Sequence, residues 1–138
     1  MAEVIARAAA RRRGLGVEAR SAGLMAGPGS PAAEHARELA RERGHNLSPH
    51  RSAGVTPALL SEADFVLGMT QRHVDALRHA GPRGDVRIVT AFLPEGHPLR
   101  GASVQDPFGG DRAAYERTWD ELEAAIEALM DHLARSGS

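Results

Sequence analysis

Two periods run along the chain. Residues 2–13 repeat at helical spacing, with Val4, Ile5, Ala8 and Ala9 on one side, before Arg11-Arg12-Arg13 leads into Gly14. Cations in a last turn followed by glycine mark a helix C-terminus, so the arginines are expected to form a solvated helix end rather than an anion site. Val17 and Ala19 alternate with Glu18 and Arg20, predicting a strand over 16–23. After a Gly/Pro/Ser loop, Ser30-Pro31 with Glu34 opens a helix that reaches Arg43 and stops at Gly44. Residues 45–55 read as irregular, and Thr56-Pro57 caps a short helix over 58–63. The nearly all-apolar run Phe65-Val66-Leu67-Gly68-Met69 predicts a strand covered on both faces. Thr70 caps a helix with Val74 and Leu77 inward, and residues 86–92 predict a further strand. Asp111 caps a final helix whose Tyr115, Trp119, Leu122, Ile126, Leu129, Met130 and Leu133 form one apolar stripe.

Strands alternating with helices predict an α/β domain with a parallel sheet, one domain over residues 1–138. In such sheets ligands sit beyond the carboxyl ends of the strands. Ser21, Met69-Thr70 and the loop after Phe92 fall at that edge, and so does Asp106 if its loop folds back. Asp106-Pro107-Phe108-Gly109-Gly110 places an acid before a proline, which holds that acid extended or in a turn. Two readings of this stretch stay open: an ordinary turn, begun by Asp and ended by Gly, and a positioned acid beside an aromatic pocket wall.

Composition narrows the chemistry. A formal net charge of −1 provides no global attraction for nucleic acid or an anionic membrane. No apolar run approaches the span of a bilayer, and the charged Met-Ala-Glu start is unlike a signal peptide, so a cytoplasmic location is expected. Cysteine is absent, which removes disulfides, thiolate metal sites and cysteine nucleophiles from these residues. Seven histidines are present, but none in His-Glu-x-x-His spacing. No metal or cofactor is expected.

Several blocks, in order, resemble the low-molecular-weight protein phosphatase family. They are the Met-Ala-Glu helix, Ser21-Ala22-Gly23, Ser48-Pro49-His50, Ala63-Asp64-Phe65-Val66-Leu67-Gly68-Met69, and Asp106-Pro107-Phe108-Gly109-Gly110 ahead of Tyr115. The Asp-Pro-Phe-Gly-Gly form is more similar to the bacterial branch that includes protein-arginine phosphatases than to the tyrosine-directed branch. The resemblance implies a flavodoxin-like three-layer sandwich with a parallel sheet in the order 2-1-3-4. It also implies hydrolysis of phosphotyrosine or phosphoarginine on a protein substrate, through a phosphocysteine formed in a Cys-x5-Arg loop. Asp106 would be the general acid and Phe108 a wall of the substrate slot, while Ser21 and His50 would support the phosphate loop.

The family places that loop, and the strand feeding it, immediately before the Met-Ala-Glu helix. The sequence is therefore expected to start at an internal Met, without the first strand and the phosphate loop. The chain as it stands is expected to be inactive alone, with exposed sheet edges that invite self-association. The competing expectation is a non-catalytic phosphatase-like binding module. The related thioredoxin-coupled arsenate reductases need several cysteines and fit less well.

Overall fold

The computed structural model describes residues 1–20, 34–45, 57–82, 84–105, 107 and 110–136. Helix α1 (Ala2–Arg12) buries Ile5, Ala9 and Ala10, and α2 (Glu34–Glu42) buries Ala36, Leu39 and Ala40. Both end in the same way. Gly14 at φ +65° donates its N–H to the Arg11 carbonyl while Leu15 N–H reaches Ala10. Gly44 at φ +85° does so to Arg41 while His45 N–H reaches Ala40. The left-handed backbone at each site favours glycine, and the paired bonds satisfy carbonyls that the helix end leaves free.

Helix α5 (Arg112–Ser136) carries the core. Tyr115, Trp119, Leu122, Ile126, Leu129 and Met130 are buried along the predicted stripe, with Leu133 partly covered at its end. Two ring contacts tie α2 and its exit to this helix: His35 on Tyr115 and His45 on Trp119, each 5.5 Å between centroids. The Arg43 guanidinium lies 5.9 Å from the Trp119 ring centroid and pairs with Asp120 at 2.6 Å.

The sheet pairs β1 (Phe65–Gly68) in parallel with β2 (Asp85–Ile88), Phe65 opposite Asp85 and Gly68 opposite Ile88. Val66 packs toward Leu60 of α3 (Pro57–Glu62) and Val74 and Leu77 of α4 (Gln71–His79), in a cluster shared with Val86 and Ile88. Leu67 packs instead against the α1–α5 core. Helices thus cover both sheet faces, which is why β1 reads as a continuous apolar run. Thr70 caps α4 as expected, its hydroxyl accepting the His73 N–H at 3.2 Å.

Three expectations need correction. Of the strand expected over 16–23, residues 16–20 form none, because no ladder partner for them exists among the described residues, and 21–23 lie outside those residues; the Ala19 carbonyl instead accepts the Arg7 Nε–H at 3.0 Å. The expected strand over 86–92 ends at Ile88 and becomes a 3-10 turn, Val89–Phe92, which drives Val89 and Thr90 into the interior. The arginines closing α1 are not simply solvated: Arg12 and Arg13 pair with Glu127 at 2.6 and 2.5 Å, and Arg13 also pairs with Asp131.

Burial opposes ionisation of the Glu127 carboxyl, but hydrogen bonds from Arg13 and Arg12 outweigh it and hold its pKa below the ordinary glutamate value. A depressed folded-state pKa adds stability that is complete above the unfolded value and disappears as pH falls through the folded one. Glu127→Gln should therefore lower stability by about 0.5–1 kcal/mol at neutral pH, the scale of a partly accessible ion pair. In urea titrations the difference from the unaltered chain should vanish at pH values below the glutamate range.

Candidate active site

The site is built from the C-terminal edge of β1 and the chain that returns to it. After Leu93, residues 94–100 fold back in successive turns, with His97 N–H on the Pro94 carbonyl at 3.0 Å and Arg100 N–H on the His97 carbonyl at 3.1 Å. The segment 101–105 then crosses the edge and is pinned at every residue. Gly101 N–H donates to the Thr90 carbonyl at 3.4 Å, and the Thr90 hydroxyl donates to the Ala102 carbonyl at 2.7 Å. Ser103 Oγ accepts the N–H of Gln71, the first residue of α4, at 3.2 Å. Val104 N–H donates to the Met69 carbonyl at 2.7 Å, with its side chain 3% exposed in the main core. The Gln105 carbonyl accepts the Thr118 hydroxyl of α5 at 3.4 Å.

The far side of the loop is held as well. Gly110 N–H closes a turn onto the Pro107 carbonyl at 2.8 Å, and Asp111 Oδ1 caps α5 by accepting the Ala114 N–H at 3.0 Å. A Cβ on Gly110 would lie 2.9 Å from the Pro107 carbonyl oxygen and 3.0 Å from Ala114 Cβ, so the turn leaves room only for glycine. Asp106 and Phe108 lie outside the described residues, and so do Ser21 and His50. What the structure places are the neighbours of Asp106: Gln105 on one side, tied to α5, and Pro107 on the other, whose carbonyl accepts the Gly110 N–H.

The beginning of α1 belongs to the same region. Met1 and Ala2 are partly buried against the cluster that also takes Leu67, Met69, Val89 and Val104. A separate cleft of about 610 Å³, lined by residues such as Ile5, Arg11, Arg43, His45 and Glu123, shares no residue with segment 101–105. Arg43 there is already matched by Asp120. Among the described residues no group of three His, Asp or Glu is placed to hold a metal ion, and no helix is long and apolar enough to cross a membrane. Sequence reasoning missed Thr90, Ser103 and Thr118, which tie the segment down. The available signal was Thr90, a hydroxyl inside the run Val86-Arg87-Ile88-Val89-Thr90-Ala91-Phe92.

A parallel sheet with an acid-bearing loop returned to its carboxyl edge is the arrangement implied by the resemblance, and the family model for low molecular weight phosphotyrosine protein phosphatases matches residues 1–138. The chain belongs to that phosphatase family. It is 36% identical over 137 residues to a protein-arginine-phosphatase of Bacillus subtilis, covering 98% of this chain and 88% of the relative. It is 33% identical to low molecular weight protein-tyrosine phosphatase A of Mycobacterium tuberculosis, covering 99% of this chain and 87% of the relative. A structure of the YwlE arginine phosphatase with a phosphorylated active-site serine superposes with a TM-score of 0.85 at 36% identity, over 96% of this chain and 86% of that one. The flavodoxin-like α/β architecture of a low molecular weight phosphatase is therefore the fold of this chain, with β1 and β2 as adjacent parallel strands.

Crowding at Gly110 tests the geometry of this phosphatase loop. Gly110→Ala should lower stability by about 1–3 kcal/mol, the usual result of forcing a methyl into filled space. Denaturant unfolding measures it, and an unchanged midpoint would contradict the packing described.

Proposed function

We propose that this phosphatase-family chain serves the hydrolysis of phosphorylated protein side chains, phosphoarginine or phosphotyrosine, with Asp106 as the general acid and base. The observation that supports the reading is the pinning of 101–105 beside the carboxyl end of β1 and the closed turn at Pro107 and Gly110, the segments that precede and follow Asp106 in the sequence. In the proposed reaction a cysteine thiolate attacks phosphorus and the bond to the leaving nitrogen or oxygen breaks. Asp106 gives that atom its proton. Water then attacks the phosphocysteine, Asp106 takes the proton of the water, and phosphate leaves as the thiolate is restored. Proton transfer of this kind contributes about 10²–10⁴ in rate. Phe108 would wall the slot for the substrate side chain, and Ser21 and His50 would support the phosphate-binding loop.

None of the 138 residues is a cysteine, so the thiolate in this scheme comes from outside them. The relatives support both substrate classes: arginine phosphatase in Bacillus subtilis and tyrosine phosphatase in Mycobacterium tuberculosis. The Asp-Pro-Phe-Gly-Gly loop favours the arginine-directed branch. A cytoplasmic site of action is part of the same proposal.

Assays against phosphoarginine and phosphotyrosine peptides test the reading. The 138-residue chain should give no turnover. The same chain joined behind a Cys-x5-Arg segment of the kind the resemblance implies should hydrolyse at least one of the two. In that extended form Asp106→Asn should reduce kcat by about 10²–10⁴-fold with little change in KM. Turnover by the 138-residue chain that Asp106→Ala abolishes would contradict the scheme, as would no turnover by the extended form.

A further inference from the structure

Apart from aromatic residues, Thr90 is the one polar residue buried among those described, at 1% exposure. Valine would occupy nearly the same volume in its apolar surroundings, and burying a hydroxyl is unfavourable unless it is hydrogen-bonded. The Thr90 hydroxyl donates to the Ala102 carbonyl at 2.7 Å, and the Thr90 carbonyl accepts the Gly101 N–H at 3.4 Å. One interior residue thus holds two successive residues of the segment that leads to Asp106. The hydroxyl makes the shorter contact. Two residues further on, Val104 N–H meets the Met69 carbonyl at the end of β1. Displacing Ala102 from the 3-10 turn would therefore shift the backbone that joins it to Val104.

We propose that Thr90 is a positioning residue for the acid loop, its hydroxyl setting the placement of 101–105, the segment that leads to Asp106. The inference rests on the reading of Asp106 as the general acid. Thr90 itself touches neither substrate nor reacting atoms. Its effect should be on the chemical step, because misplacing a proton donor by about 1 Å can cost up to 10²-fold in rate.

Thr90→Val removes the hydroxyl while keeping the shape, and Thr90→Ser restores it. Amide hydrogen exchange on the 138-residue chain should show Gly101 and Val104 exchanging about tenfold faster in the valine variant, the scale of one lost hydrogen bond. Amides of β1 and α5 should be unchanged, and the serine variant should return the segment to its original rates. In the extended, cysteine-bearing chain, Thr90→Val should lower kcat about 10–100-fold at constant KM, with recovery in Thr90→Ser. Unchanged exchange in 101–105, or loss of protection throughout the chain, would overturn the proposal. If Asp106→Asn lowers kcat and Thr90→Val does not, the positioning role fails and the acid reading stands. If Asp106→Asn has no effect, the acid reading fails and the positioning role falls with it.

Discussion

The hydrogen bond from Val104 N–H to the Met69 carbonyl joins the carboxyl end of β1 to the segment that leads to Asp106. Met69 follows the last residue of β1, so its carbonyl sits where a parallel sheet presents its ligands. Val104 lies two residues before Asp106, and its side chain is sealed in the core with Val89 and Trp119. A buried backbone N–H needs a partner, and at this position the strand end supplies it. The chain cannot leave the sheet edge without exposing Val104 and leaving its amide unpaired. That double penalty holds a long connection close to the strand it must serve.

Helix α5 supplies the other half of the support. Its apolar stripe fixes it against α1, α2 and the 3-10 turn, and Trp119 within that stripe is fully buried. From that fixed position Thr118 reaches the Gln105 carbonyl, while Asp111 caps the first turn immediately after the loop. The same helix therefore packs the core and holds Gln105, the residue before Asp106. Catalytic groups need a placement held by surrounding packing and hydrogen bonds, and rigid elements provide this better than free loops. The ion pairs of Arg12 and Arg13 with Glu127 and Asp131 fasten α1 to the other end of α5, well away from the loop.

Much of this was legible from residue types alone. The α5 stripe, the Thr70 and Asp111 caps, the glycine stops at Gly14 and Gly44, and the two-sided cover of β1 follow from period, capping and burial, which are local properties. Contacts between distant segments were not legible. Residues 16–20 alternate like a strand, yet a strand exists only with a ladder partner, and alternation cannot say whether one is present. The run 86–92 has strand-like composition throughout, but the interior claims Thr90 for a bond to Ala102, and the ladder stops at Ile88. Arg12 and Arg13 read as a helix end because their carboxylate partners lie on a helix more than a hundred residues later. The Asp-Pro-Phe-Gly-Gly signature singled out Asp106 as the proposed acid from local residue types. The hydroxyls of Thr90, Ser103 and Thr118 could not, since each acts on backbone far from it in sequence.

The most direct measurement is the exchange rate of the Val104 amide in the unaltered chain, compared with Val66 in β1, whose N–H faces β2 in the parallel register. If segment 101–105 is pinned to the strand end, Val104 should be protected to within about tenfold of Val66, opening only when the sheet edge opens. Exchange of Val104 at the rate of an unstructured peptide, with Val66 still protected, would mean that the segment leading to Asp106 is not held at the strand end, and would contradict the account.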